Sequence, residues 1–200
     1  MPTTKTDKDK KQCTRTALLK AGIELMVKKG YTATGIQEIL SVTGIPKGCF
    51  YHYFESKEQF ALEIIRHLDG LYATQVLPVL RNPDRTSLQR LADYCEMKKH
   101  LLDDSDARGC PMTSLCQEMS DQSETLRTEL TSVFGKWRAA LTECIAEGQS
   151  RGEIRRDAEP RELAELIASA WIGAVLRAKT HKSSEPMDIV LSVLIGKCLQ

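Results

Sequence analysis

Gly44-Ile45-Pro46-Lys47-Gly48-Cys49-Phe50-Tyr51-His52-Tyr53-Phe54-Glu55-Ser56-Lys57-Glu58 is the stretch on which the fold turns. Thr43-Gly44-Ile45-Pro46 makes a tight connection. Lys47–Phe54 then reads as a short helix, and Ser56 with Gln59 at the capping-box position opens another. Phe50 and Phe54, four apart, share one helix face and can anchor it against protein. Lys47 and Gly48 let the backbone approach a partner closely. Tyr51, His52 and Tyr53 carry polar tips on aromatic bodies, suited to phosphates or base edges. Lys57 starts the following helix, where its ammonium can reach a phosphate backbone.

Upstream, Thr34 reads as the cap of a short helix with Gln37 closing a capping box, and Ile36, Ile39 and Leu40 form its inner face. Two short helices joined by a Gly-containing turn make a helix-turn-helix. Before it, Ala17, Leu18, Ala21, Leu25 and Met26 recur at helical spacing, with Gly30 at the C′ position. Residues 1–12 are rich in Thr, Lys and Asp without periodic apolar residues. They read as a disordered basic arm, solvated or touching DNA through Lys8, Lys10 and Lys11.

Downstream, the fourth helix should run to about Leu77, stopped by Pro78. Further helices are expected at Ser87–Leu102, Met112–Met119, Glu124–Arg151, Pro160–Thr180 and Pro186–Leu199. Period-two alternation is absent. The fold class is therefore all-α: a helix-turn-helix head at 13–57 and a helical body at 58–200.

The net charge of +1 hides an asymmetry. Residues 1–57 hold ten Lys/Arg against five Asp/Glu, a net of +5, and the remainder holds eighteen against twenty-two, a net of −4. A basic head on a mildly acidic body suits DNA binding confined to the head. The seven cysteines (Cys13, Cys49, Cys95, Cys110, Cys116, Cys144 and Cys198) include no CxxC pair. With no apolar leader after Met1, they read as free thiols in a reducing cytoplasm. No apolar run is long enough to cross a membrane. No Cys/His spacing suggests a metal, and no cofactor is expected.

The run from Gly44 to Glu58, with Gly35-Ile36-Gln37-Glu38-Ile39-Leu40 before it, resembles the TetR family of bacterial repressors over residues 14–60. Cys49 stands where similar members usually carry Ser or Thr, and a thiol is a weak hydrogen-bond donor. The resemblance implies operator contacts through Thr34, Gly35, Lys47, Gly48, Cys49, Tyr51, His52, Tyr53 and Lys57. It also implies a homodimer that reads two half-sites of double-stranded DNA. The last two helices would form its interface, with Leu163, Leu166, Ile167, Ala170, Trp171, Ala174 and Val175 on one and Ile189, Val190, Val193 and Leu194 on the other. The plainer reading packs those residues inside one subunit.

In the body, Gly109-Cys110-Pro111 places a thiol at a helix N-terminus. Backbone N–H groups there, and the nearby Arg108, favour the thiolate. The plainer reading is a small, inert, buried residue. This step and Trp171-Ile172-Gly173-Ala174-Val175-Leu176-Arg177-Ala178-Lys179 resemble the subgroup of N-ethylmaleimide-reductase repressors and acrylate-utilisation regulators. The resemblance implies Cys110 as an electrophile or oxidant sensor and Lys179 as its partner, with Trp171 and Cys116 in the same effector region. Cys116 lies six residues on, roughly 1.7 turns, so a regular helix would not align it with Cys110. Three rivals remain: a reversible small-ligand repressor with incidental thiols, a thiol enzyme pairing Cys110 with His100 or His181, and a purely protein-binding helical module. The second lacks a recognisable oxyanion hole.

Overall fold

The computed structural model describes residues 7–103 and 109–200, with side chains for 11–101 and 109–200. Helices α1 (Asp7–Lys29), α2 (Ile36–Thr43) and α3 (Lys47–Tyr53) form the head. Helices α4 (Lys57–Leu71), α5 (Leu77–Leu80), α6 (Ser87–Asp103), α7 (Pro111–Met119), α8 (Glu124–Ser150), α9 (Pro160–His181) and α10 (Glu185–Val193) follow. Among the described residues there is no strand.

Residues 7–12, read as disordered arm, are helical: α1 begins at Asp7. Leu18, Leu19, Ala21, Met26 and Val27 are buried, and a helix nucleated on that packed face gains one hydrogen bond for each residue added outward. Residues 1–6 and the side chains of Lys8 and Lys10 lie outside the described residues, and Lys11 is exposed. Ala17, expected on the inner face, is exposed. Leu19 takes that role.

Phe50, Phe54 and Phe60 pack as a triangle with ring centroids 4.8–5.2 Å apart, all essentially without solvent exposure. Such aromatic pairs contribute about 0.5–1.5 kcal/mol each beyond their buried area. Phe54 is the extended C-cap of α3 rather than its last helical residue. Ser56 caps α4 as expected, its Oγ accepting the Gln59 N–H at 3.0 Å.

Pro78 does not stop the fourth helix. A π turn at Tyr72–Val76 joins α4 to α5, and Pro78 sits in the first turn of α5. Proline lacks an N–H and its ring crowds the carbonyl four residues back. The wider π turn relieves both without breaking the helix. Tyr72 and Val76 are thereby buried. A second π turn, Leu194–Cys198, continues α10.

The apolar core of the head does not end at residue 57. Phe50, Phe54 and Ile39 share one cluster with Phe60, Ile64 and Ile65 of α4, Met112, Leu115 and Met119 of α7, and Leu126, Leu130 and Val133 of α8. A second cluster joins Tyr72, Leu91, Tyr94, Leu141, Ile145, Ile167, Trp171 and Val175. Leu163, Ile167, Trp171, Ala174, Val175 and Leu194, expected at the subunit interface, are buried within one chain. Leu166, Leu176, Ile189 and Val193 remain exposed on α9 and α10, at 37–55%. Among the described residues no helix is long and apolar enough to cross a membrane.

Candidate nucleic-acid interface and ligand cavity

Gly44 turns the chain between α2 and α3 at φ 67°, in the left-handed region that glycine tolerates best. Its N–H closes α2 on Leu40 O at 2.8 Å. Helix α3 then runs with Phe50 inward. Lys47, Gly48, Cys49, Tyr51 and His52 are exposed, and Tyr53 is half-buried. The Lys47 ammonium lies 5.9 Å from the Tyr51 ring centroid. Cation and phenol thus leave the helix together, a pair suited to an anionic, hydrogen-bonding surface. Gln37, Ser41 and Val42 on α2 are exposed as well.

Two expected contacts are differently placed. Thr34 is fully buried, and its hydroxyl donates to Gly30 O at 2.7 Å. It neither caps α2 nor faces solvent. Gly35 holds the N-cap position, without a side-chain cap, and is exposed. Lys57 folds inward: its Nζ donates to Thr32 O at 3.1 Å and lies 4.3 Å from the Tyr31 ring centroid. Partial burial pushes the Lys57 ammonium below the ordinary lysine range, with Glu118 opposing and Lys29 adding to the shift.

A clamp that no sequence motif announces joins head and body. Glu118 of α7 accepts the N–H of Tyr31 at 2.9 Å and of Thr32 at 2.8 Å. Burial pushes this carboxyl up, but those N–H groups and Lys57 outweigh it and hold it below the usual glutamate range. Gly30 (φ 88°) makes the approach possible, since a Cβ there would lie 2.5 Å from Glu118 Oε1. Two further ties run beside it. Ser123 Oγ donates to Glu58 at 2.5 Å, and Lys179 Nζ donates to Val27 O at 3.1 Å. No local motif encodes these pairs, because the partners are 65–152 residues apart.

A cavity of about 970 Å³ opens among α1, α4 and its π turn, α6, α7, α8 and α9. Cys110, Cys116 and Trp171 all line it. The helical-wheel separation of Cys110 and Cys116 does not apply, because Cys110 is the extended N-cap of α7 and lies outside its helical turns. Lys179 is adjacent: a Cβ at Gly109 would lie 3.6 Å from its Nζ. Its ammonium, however, is engaged with α1. Arg108 lies outside the described residues. His100 and His181 are exposed and do not line the cavity. Cys95 and Cys144 are buried, and burial pushes their thiols up to about 12 and about 11. Among the described residues no group of His, Cys, Asp or Glu is arranged to hold a metal.

Comparison with known proteins agrees with this architecture. Residues 18–64 match the family of bacterial regulatory proteins, tetR family, and residues 87–194 match the tetracyclin repressor-like C-terminal domain. The chain is 32% identical to the HTH-type transcriptional repressor DhaR of Mycobacterium sp. (strain GP1), over 92% of both. It is 33% identical to the transcriptional regulator AcuR of Cereibacter sphaeroides, over 86% of this chain and 78% of that one. The reduced form of NemR from E. coli superposes with a TM-score of 0.81 at 28% identity, covering 93% of this chain and 96% of that one.

Proposed function

The chain belongs to the TetR family of bacterial transcriptional regulators, and from that premise we propose a dimeric repressor released from its operator by chemistry in the body cavity. The basic helix α3 enters a major groove, with Lys47, Gly48, Tyr51 and His52 as contacts and Phe50 and Phe54 as anchors. Gly35, Cys49 and Tyr53 lie beside them. The exposed Leu166, Leu176, Ile189 and Val193 close the dimer across α9 and α10.

The observation that carries this reading is the route from cavity to head. Cys110 opens α7 at the cavity wall, and Glu118, two turns later on the same helix, grips the turn that leads into α2. An electrophile at Cys110 forms a carbon–sulfur bond. With a maleimide, the thiolate adds across the double bond and solvent returns a proton to the adjacent carbon. The added bulk at the N-cap shifts α7, Glu118 follows, and the two heads lose operator spacing. Lys179, tied to Val27 beside Gly109, senses the same displacement. The likeness to the NemR repressor supports a thiol role.

Gel shift with DNA upstream of the protein's own gene tests the DNA half. Lys47→Ala should weaken binding and flatten its salt dependence. Equal binding by Lys47→Ala and the unaltered protein would remove α3 as the reading element.

A further inference from the structure

Lys98 of α6 lines the cavity half-buried. Its Nζ stands 5.4 Å from the Tyr94 ring centroid and 5.2 Å from that of Trp137, and donates to the Tyr94 hydroxyl at 3.4 Å. No carboxylate pairs with it among the described residues. The neighbouring Lys99, by contrast, pairs with Asp188 and Glu96, and Arg138 at the cavity pairs with Glu165 at 2.9 Å. A partly desolvated ammonium flanked by two aromatic faces is stabilised without a counter-ion, and is left free to take one.

A second donor has no partner among the described residues. The Trp171 indole N–H, in a residue only 4% exposed, finds no acceptor among them, whereas the Trp137 indole N–H is taken by Asp69 at 3.1 Å. A buried donor left unpaired costs about 1–3 kcal/mol. Burial pushes the neighbouring phenols Tyr72 and Tyr94 far above their ordinary range, so they remain neutral hydroxyls. The other walls are chiefly apolar. The remaining charges, Glu24 and Lys28, lie one turn apart on the exposed side of α1.

We propose that the cavity binds a mostly apolar organic carboxylate whose anionic end pairs with Lys98, with the Trp171 N–H as an additional donor. The size suits a drug-sized molecule. This inference rests on the cavity being the effector site but not on covalent chemistry at Cys110, and it names the class of a reversible ligand.

The chain's two tryptophans, Trp137 and Trp171, both line the cavity, so intrinsic fluorescence reports it directly. Titration with 3-phenylpropanoate, 3-phenylpropanol and 3-phenylpropylammonium, excited at the red edge of the indole band, compares three charges on one apolar body. The carboxylate should bind about tenfold more tightly than the alcohol, with the amine weakest. Lys98→Met should erase the preference for carboxylate over alcohol, while Lys98→Arg retains it. Thermal melts of both variants establish that they are folded. Equal binding of the three probes, preference for the amine, no binding at all, or an unchanged preference in Lys98→Met would each overturn the proposal. Operator binding by the ligand-free protein, measured separately by gel shift, fails only if the repressor reading itself is wrong.

Discussion

Glu118 of α7 accepts the backbone N–H of Tyr31 at 2.9 Å, joining a helix that begins at the cavity to the turn that leads into the helix-turn-helix. The neighbouring bond from Thr32 and the inward-folded Lys57 make this a charge-assisted clamp. Hydrogen bonds to charged groups contribute about 1.5–3 kcal/mol. Glu118→Ala should therefore lower stability by about 1.5–3 kcal/mol in urea unfolding, and Glu118→Gln by less. Both should loosen the coupling between ligand and DNA. A Glu118→Ala protein with unaltered stability and unaltered effector response would count against the clamp.

The same carboxylate sets a pH dependence. Its folded-state pKa is depressed, so its stabilisation is fully present above the unfolded glutamate value of about 4.3 and is lost as pH falls through the lower folded value. Wild type should lose stability over that acid range more steeply than Glu118→Gln. Parallel curves from neutral pH to about pH 3 would show that Glu118 contributes nothing to the linkage.

Within α3, anchors and contacts should separate cleanly. Phe50→Ala empties a fully buried site and should cost about 3–5 kcal/mol of stability. Tyr51→Ala, at 47% exposure, should stay within about 0.5 kcal/mol while weakening operator binding. Denaturant melts and gel shifts on the two variants read the two effects independently.

Thiol labelling followed by peptide mapping should rank the cysteines by burial. Cys13 and Cys49 are exposed and should react first, and the half-buried Cys110, Cys116 and Cys198 next. Cys95 and Cys144 should stay inert at neutral pH, because their thiolates form only near pH 12 and 11. Early labelling of Cys95 would contradict the packing around α6.

Much of this architecture was legible in the sequence, for local reasons. Ser56 and Gln59 mark the start of α4, Gly44 marks the turn, and the Phe50/Phe54 spacing marks the inner face. Four features were not legible. Thr34 has the composition of a cap, yet its hydroxyl finds the Gly30 carbonyl first. Pro78 carries a stop signal that a π turn overrides, a choice made by the packing of Tyr72 and Val76. Lys57 and Glu118 look like ordinary surface charges until the fold brings residues 31, 32, 57 and 118 together. Lys98 was missed for the same reason, since its aromatic flank comes from α6 and α8 jointly.

The account centres on Cys110 acting through α7 on the head, and the exposed Cys49 in α3 would confound a direct test by reacting at the DNA surface itself. The measurement is therefore operator binding by a Cys13→Ser/Cys49→Ser protein and by the same protein carrying Cys110→Ser, each with and without N-ethylmaleimide. The account predicts that the first releases DNA on treatment and the second stays bound. Equal release from both, or from neither, would contradict it.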